Sequence, residues 1–253
     1  MDTTERVGIL LFKEPRATEG GICMILGISA SGRNAKRNES GTLTHGLTEE
    51  MVRYILAKTG EPSEFVSLSG KNIRGCTGCC GCAEDNVCVL EDDWTDIRDK
   101  MFEADAIVFG APNYFGVINA LGHAFLERTF SLRHRERFKL AGKLNVIVTT
   151  GSDEDPSVED FIRKVFRSNY MAEPVGALKV AGISQCYQCG YGDGCAAGSV
   201  VSRHGFVDEI RESILPRVSP EAYKKAEVIA HRLGEVVRSS FKNHNARAIS
   251  RIQ

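Results

Sequence analysis

Short apolar runs alternate with amphipathic stretches along most of this chain, and that alternation restricts its fold more than any other feature. Ile22-Cys23-Met24-Ile25-Leu26-Gly27-Ile28 is apolar throughout and ends at Ser29, as expected of a strand buried on both faces of a parallel sheet. A polar loop, residues 29–41, follows. Leu43, Leu47, Met51, Tyr54 and Ile55 then recur at helical spacing. Residues 64–68 read as a second short strand. Trp94, Ile97, Met101 and Phe102 share one face of a helix entered from Asp92-Asp93, which are N-cap candidates. Residues 106–111, 144–149 and 177–183 are three more strands, and residues 117–130 and 158–170 two more helices.

Strands alternating with helices predict an α/β protein with a doubly wound parallel sheet. Five strands, with the first loop leading into a helix, suit the flavodoxin-like order 2-1-3-4-5. Ligands of such sheets bind beyond the carboxyl ends of the strands, which selects loops 29–41, 111–116 and 149–156. Near the end, Tyr223, Ala226, Ala230, Leu233, Val237 and Phe241 step by three and four residues after Pro216 and Pro220, the pattern of an amphipathic helix. The expected organisation is an N-terminal extension over 1–21, the α/β domain over 22–205 with a cysteine-rich loop at 74–90, and a helical extension over 206–253.

Charge removes several classes of partner. Thirty-two Lys and Arg balance 33 Asp and Glu, so no net field points to nucleic acid or to a membrane surface. The apolar patch at residues 7–12 is too short for a secretory signal, and no apolar run approaches a membrane span. A cytoplasmic location is expected, where cysteines serve as metal ligands or redox groups more often than as disulfides.

Five of the nine cysteines fall within Cys76-Thr77-Gly78-Cys79-Cys80-Gly81-Cys82-Ala83-Glu84-Asp85-Asn86-Val87-Cys88. Cys76, Cys79, Cys82 and Cys88 follow C-x2-C-x2-C-x5-C. Two-residue gaps let a tight loop aim successive sulfurs inward, as a cubane iron–sulfur cluster requires. The last gap is wider than in bacterial ferredoxins and no proline follows. Four thiolates at these gaps also suit zinc. Cys80 is the odd one out. A second group, Cys186, Cys189 and Cys195, repeats the C-x2-C-x5-C spacing but lacks a fourth thiol; it reads as a glycine-rich loop with redox-active or idle thiols, or as a zinc knot or second cluster completed by His204, Cys80 or a neighbour's residue.

The three loops have matching chemistry. The first carries Ser29, Ser31, Arg33, Asn38, Ser40 and Thr42 between a strand and a helix, a composition that suits a phosphate monoester. It lacks both G-x-G-x-x-G and the G-K-[ST] of a P-loop. The second, Ala111-Pro112-Asn113-Tyr114-Phe115-Gly116, places an aromatic pair in a proline-directed turn. The third, Thr149-Thr150-Gly151-Ser152, can offer backbone groups to a ring edge.

Taken together, these loops resemble the flavodoxin-like NAD(P)H-dependent FMN reductase superfamily over roughly residues 22–183, and the cysteine run resembles the compact motif of its iron–sulfur flavoproteins. The resemblance implies that Ser31, Arg33, Asn38, Ser40 and Thr42, with Ser29 beside them, hold the FMN phosphate. Pro112, Asn113, Tyr114, Phe115 and Gly116 would flank the isoalloxazine, with Thr150 and Gly151 on its far edge. Cys76, Cys79, Cys82 and Cys88 would ligate a [4Fe-4S] cluster. It further implies a flavin-dependent oxidoreductase fed by ferredoxin or another donor protein, reducing dioxygen, peroxide or a quinone-like acceptor, and assembled as a homodimer or homotetramer. Gly32 stands where proline is common, and Leu121-Gly122-His123 where a lysine often follows the ring loop. Two other functions compete: an FMN or quinone reductase using NAD(P)H directly, with structural or zinc-binding cysteines, and a non-enzymatic flavin electron carrier or redox sensor. The basic run Arg133-His134-Arg135-Glu136-Arg137 reads as a solvated helix end that could dock an acidic donor.

Overall fold

The structure is a computed structural model that describes residues 23–151 and 156–250. The extension over 1–21, Ile22 and Ser152 lie outside the described residues. In chain order the elements are β1 (Ile25–Ser29), β2 (Lys36–Arg37), β3 (Leu43–His45), α1 (Leu47–Thr59), β4 (Ser63–Ser67), α2 (Trp94–Glu103) and β5 (Ala106–Tyr114). There follow β6 (Val117–Ile118), α3 (Ala120–Arg128), β7 (Leu144–Gly151), α4 (Ser157–Ser168), β8 (Gly176–Ala181), α5 (Ser199–His204) and α6 (Pro220–Ser250).

The main sheet runs β4-β1-β5-β7-β8, and every neighbouring pair in that path is parallel. Counting only those five strands, the order is 2-1-3-4-5, as the alternation predicts. Strand β5 shows why its sequence is apolar without interruption. Ile107, Phe109 and Ala111 face one core and Ala106 and Val108 the other, so both sides are dry. The first core is closed by Trp94, Ile97 and Met101 of α2, Phe125 of α3, and Ile162 and Phe166 of α4. The second is closed by Met51, Val52 and Ile55 of α1 and by Ala226, Ile229, Ala230 and Leu233 of α6. The amphipathic tail is thus one layer of the sandwich. It crosses α1 so closely that a Cβ on Gly234 would stand 2.3 Å from the Thr59 carbonyl oxygen.

Several boundaries differ from the periodicity. Leu43 belongs to a two-stranded hairpin, β2 with β3, rather than to α1. Val117 and Ile118 do not open a helix. Phe115 and Gly116, at φ 59° and 80°, reverse the chain, so that Val117 and Ile118 pair antiparallel with Tyr114 and Asn113. Apolar residues that lead into Leu121 and Phe125 at near-helical spacing conceal that turn. Asp93 caps α2 without a side-chain bond; Asp92 Oδ1 accepts from the Trp94 N–H at 3.1 Å. Helix α6 continues to Ser250, past Phe241.

Candidate functional site

Three loops meet at the carboxyl edge of the sheet. The Ala30 N–H donates to the Gly110 carbonyl at 2.7 Å, and Asn119 Nδ2 donates to the Ala30 carbonyl at 2.7 Å. These two bonds lock the first loop to the second. Ser29 and Ser31 are buried there, each hydroxyl accepting a backbone N–H two residues on: Ser31 N at 3.4 Å and Arg33 N at 3.1 Å. Arg33 turns away toward the segment after β8, donating to Gln188 Oε1 at 3.2 Å and to the Ile183 carbonyl at 3.4 Å.

Asn38, Ser40 and Thr42 sit elsewhere. They lie at the tip of the β2–β3 hairpin, where Asn38 Oδ1 accepts from Ser40 Oγ at 2.7 Å and from the Thr42 N–H at 2.8 Å. Thr42 also donates to Glu212. The hydroxyls of Ser40 and Thr42 hold the Glu212 carboxyl below the usual carboxylate range, so a carboxylate already occupies these donors. The physical reason is the β2–β3 hairpin, which carries these side chains outward before α1 begins. What stands at the start of α1 is Thr48, buried, with its Oγ1 2.7 Å from Thr150 Oγ1. Sequence reading passes over Thr48. Its signal is its place in the first turn of the helix that follows the loop.

The second and third loops are neighbours by register, Ala111 opposite Thr149 and Pro112 opposite Thr150. Asn113 Oδ1 accepts the Gly116 N–H at 2.9 Å, and Ser157 Oγ donates to the Gly116 carbonyl. That turn presents Phe115 fully to solvent. Gly151, at φ 153°, has no room for a side chain: a Cβ there would stand 2.7 Å from Asn113 Cβ. A Cβ on Gly182 would stand 3.2 Å from Gly151 Cα, so two bare backbone segments run side by side at this edge. The donor set fits FMN: hydroxyls on the first loop, an exposed ring on the second, and unobstructed backbone on the third. Asn119 Oδ1, buried and without a protein hydrogen-bond partner, lies between the first two.

Cys76, Cys79, Cys80, Cys82 and Cys88 line one cavity with Arg128, Phe130 and Ser131. Burial pushes the Cys82 thiol up, and the charges of Cys88, Cys76 and Cys79 add to it, so three other sulfurs are near enough to be felt. Cys79 is shifted down by the Gly81 N–H and the Thr77 hydroxyl. Cys80 shares the cavity, with its thiol 3.6 Å from the Gly78 carbonyl. Among the described residues no three His, Cys, Asp or Glu side chains converge tightly enough to hold a metal ion. The thiols are gathered but not closed.

The neck of this loop is held by buried charge. Arg128 Nη1 donates to Asp92 Oδ2 at 2.6 Å and to the Arg74 carbonyl at 3.0 Å, and Nη2 to the Leu90 carbonyl at 3.4 Å. One guanidinium therefore ties both ends of the cysteine segment. Asp92 Oδ2 also accepts the Arg74 N–H at 3.1 Å. Burial raises the Asp92 pKa, but the hydrogen bonds from Arg128, Arg74 and Trp94 outweigh it and hold the carboxyl below the usual range. His134, read from sequence as part of a solvated basic run, places Nε2 3.1 Å from Cys82 Sγ. Its backbone exchanges two bonds with the Asn86 side chain, at 2.6 and 3.2 Å. No sequence signal links residues 48 positions apart. Helix α3 joins the two regions: it starts beside Asn119 at the ring loop and ends at Arg128, roughly 13 Å of helix.

The model of a family described as NADPH-dependent FMN reductase matches residues 24–181, from just before β1 to the end of β8. This chain belongs to the NADPH-dependent FMN reductase family. It is a flavin-dependent oxidoreductase, and FMN is the cofactor to which its fold is suited. An iron–sulfur flavoprotein of Methanocaldococcus jannaschii is 33% identical over 144 residues, covering 56% of this chain and 68% of that one. An iron–sulfur flavoprotein of Methanosarcina thermophila is 29% identical over 141 residues, covering 56% and 70%. Among solved structures, RosB with a bound 8-demethyl-8-formylriboflavin-5'-phosphate superposes with a TM-score of 0.53 at 14% identity, covering 91% of this chain and 88% of RosB. That likeness is one of fold. Among the described residues no helix is long and apolar enough to cross a membrane.

Proposed function

We propose that this member of the FMN reductase family is an iron–sulfur oxidoreductase. It takes electrons from a protein donor such as ferredoxin and delivers them to a small acceptor: dioxygen, peroxide or a quinone-like compound. The observation that carries the reading is the shared cavity of Cys76, Cys79, Cys82 and Cys88, set at one end of α3 while the ring loop stands at the other. When bound, a [4Fe-4S] cluster supplies one-electron chemistry and FMN both one- and two-electron chemistry. The chain's own part is to hold and shield them. Cys76, Cys79, Cys82 and Cys88 would hold the cluster, with Arg128 fixing the loop that carries them. Ser29, Ser31 and Thr48 would face the flavin phosphate side, with Asn113, Phe115 and Gly151 along the ring. Arg133 lies over Phe130 and Phe138 at 5.9 and 5.8 Å, and Phe130 lines the cysteine cavity, so the mouth of that cavity has a basic, aromatic rim suited to an acidic donor.

The match to the NADPH-dependent FMN reductase family favours a second reading, a reductase that uses NAD(P)H directly and whose cysteines are structural or bind zinc. An anaerobic count of iron, sulfide, zinc and flavin on the native protein separates the two. Four irons and four sulfides per flavin are expected for the cluster. Flavin with zinc, or with no metal, overturns it.

A further inference from the structure

We propose that Cys186 and Cys189 form a thiol–disulfide exchange centre for small disulfides of the glutathione class, with Cys186 attacking and Cys189 resolving. The pair lies in Cys186-Tyr187-Gln188-Cys189, a C-x-x-C turn built on a 3-10 helix, Gln185–Tyr187. Ser184 Oγ accepts the Cys186 N–H at 3.2 Å and fixes the start of that turn. Cys186 Sγ accepts the Ser199 N–H at 3.3 Å. Ser199 Oγ is buried with no conventional hydrogen bond to the protein, so its hydroxyl can turn to the sulfur when a thiolate forms. Hydrogen bonds from the Ser184 hydroxyl, then from Ser199, lower the Cys186 pKa to about 7, where an attacking thiol is most effective near neutral pH. Cys189 is exposed, and its sulfur lies 3.7 Å from the Cys186 carbonyl oxygen, on the same turn.

A metal site fits this loop less well. His204, the nearby imidazole, has its Nε2 3.0 Å from the Tyr187 hydroxyl. The loop offers three thiols, Cys186, Cys189 and Cys195, one short of a four-thiolate site. The centre is also tied to the first loop. Gln188, between the two cysteines, accepts from Arg33 and donates to the Thr44 carbonyl.

The exchange runs in two steps. The Cys186 thiolate attacks one sulfur of the small disulfide, forms a mixed disulfide and releases one thiolate. The Cys189 thiol, losing its proton, then attacks Cys186 Sγ, closes the intramolecular bond and releases the second thiolate. Two protein thiols are oxidised and one small disulfide is reduced to two thiols.

The test uses the full-length protein, isolated anaerobically and incubated with glutathione disulfide. Remaining thiols are alkylated with iodoacetamide and peptides are mapped by mass. The expected product is a Cys186–Cys189 cross-link, lighter by the two thiol hydrogens. In Cys189→Ser glutathione should stay on Cys186, and Cys186→Ser should slow reaction of this loop about tenfold or more. Alkylation of Cys186 in the wild-type protein should be half-maximal near pH 7. A cross-link from Cys186 to Cys195, glutathione settling on Cys189 or Cys195 first, or an unreactive loop would each overturn the proposal. None of these readouts depends on the cluster or the flavin, so its failure is distinct from failure of the function proposed above.

Discussion

Replacing Arg128 with methionine removes the bond that closes the neck of the cysteine loop while keeping most of the side-chain volume. The side chains of Arg128 and Asp92 are both fully shielded from solvent, and Nη1 lies 2.6 Å from Oδ2. Breaking such a pair from one side typically costs about 3–5 kcal/mol, because the remaining charge is buried without its partner. Asp92 keeps the N–H groups of Arg74 and Trp94, each at 3.1 Å, and the Arg74 guanidinium, with Nε 3.7 Å from Oδ2, which places Arg128→Met near the lower bound, about 3 kcal/mol. The pH dependence follows from the same contacts. In the wild-type protein the Asp92 pKa is depressed, so its stabilising contribution is present above the unfolded carboxylate pKa and is lost as the pH falls through the lower native value. Without Arg128, burial pushes that pKa back up, and acid unfolding should begin at a higher pH. Urea unfolding of the two proteins at pH 7, and again as the pH is lowered from about 5 to about 3, measures both effects. Thiol titration of the folded protein adds a local readout: Cys76 and Cys88 should react faster once the carbonyls of Arg74 and Leu90 lose their shared donor. A change under about 0.5 kcal/mol with unaltered thiol reactivity would show that the buried pair is not what holds the loop.

Cys82→Ala should abolish iron binding while Cys80→Ala keeps it, measured as iron per flavin after anaerobic purification; equal retention in both would remove Cys82 from the ligand set. Gly151→Ala forces a Cβ to within 2.7 Å of Asn113, and FMN affinity should fall about tenfold, about 1.4 kcal/mol, in a fluorescence titration. An unchanged dissociation constant would place the ring away from this edge. Asn86 is buried at φ 64° and exchanges two bonds with the His134 backbone, so Asn86→Ala should cost about 2 kcal/mol in chemical denaturation. A neutral result would mean that the 134–137 segment does not depend on this tie.

The apolar runs and their spacing were enough to order five parallel strands as 2-1-3-4-5, because a strand buried on both faces must be apolar at every position, and only helices on both sides allow that. The cysteine spacing likewise kept these thiols within one short loop, but it set Cys80 apart, whereas the structure places Cys80 in the same cavity as the other four. Local pattern could not reveal that Asn38, Ser40 and Thr42 ride outward on a hairpin. They carry polar groups suited to a phosphate, and their displacement depends on how residues 36–45 fold back on themselves as a hairpin. Nor could it pair Arg128 with Asp92, His134 with Cys82, Thr48 with Thr150 or Arg33 with Gln188. Those contacts join residues 36, 52, 102 and 155 positions apart, and their geometry exists only once the helices have docked on the sheet. Sequence alone thus settled the fold and the chemical kinds of side chain at the carboxyl edge. The tertiary structure decided which of those groups meet, because burial and hydrogen bonding between distant segments leave no periodic trace along the chain.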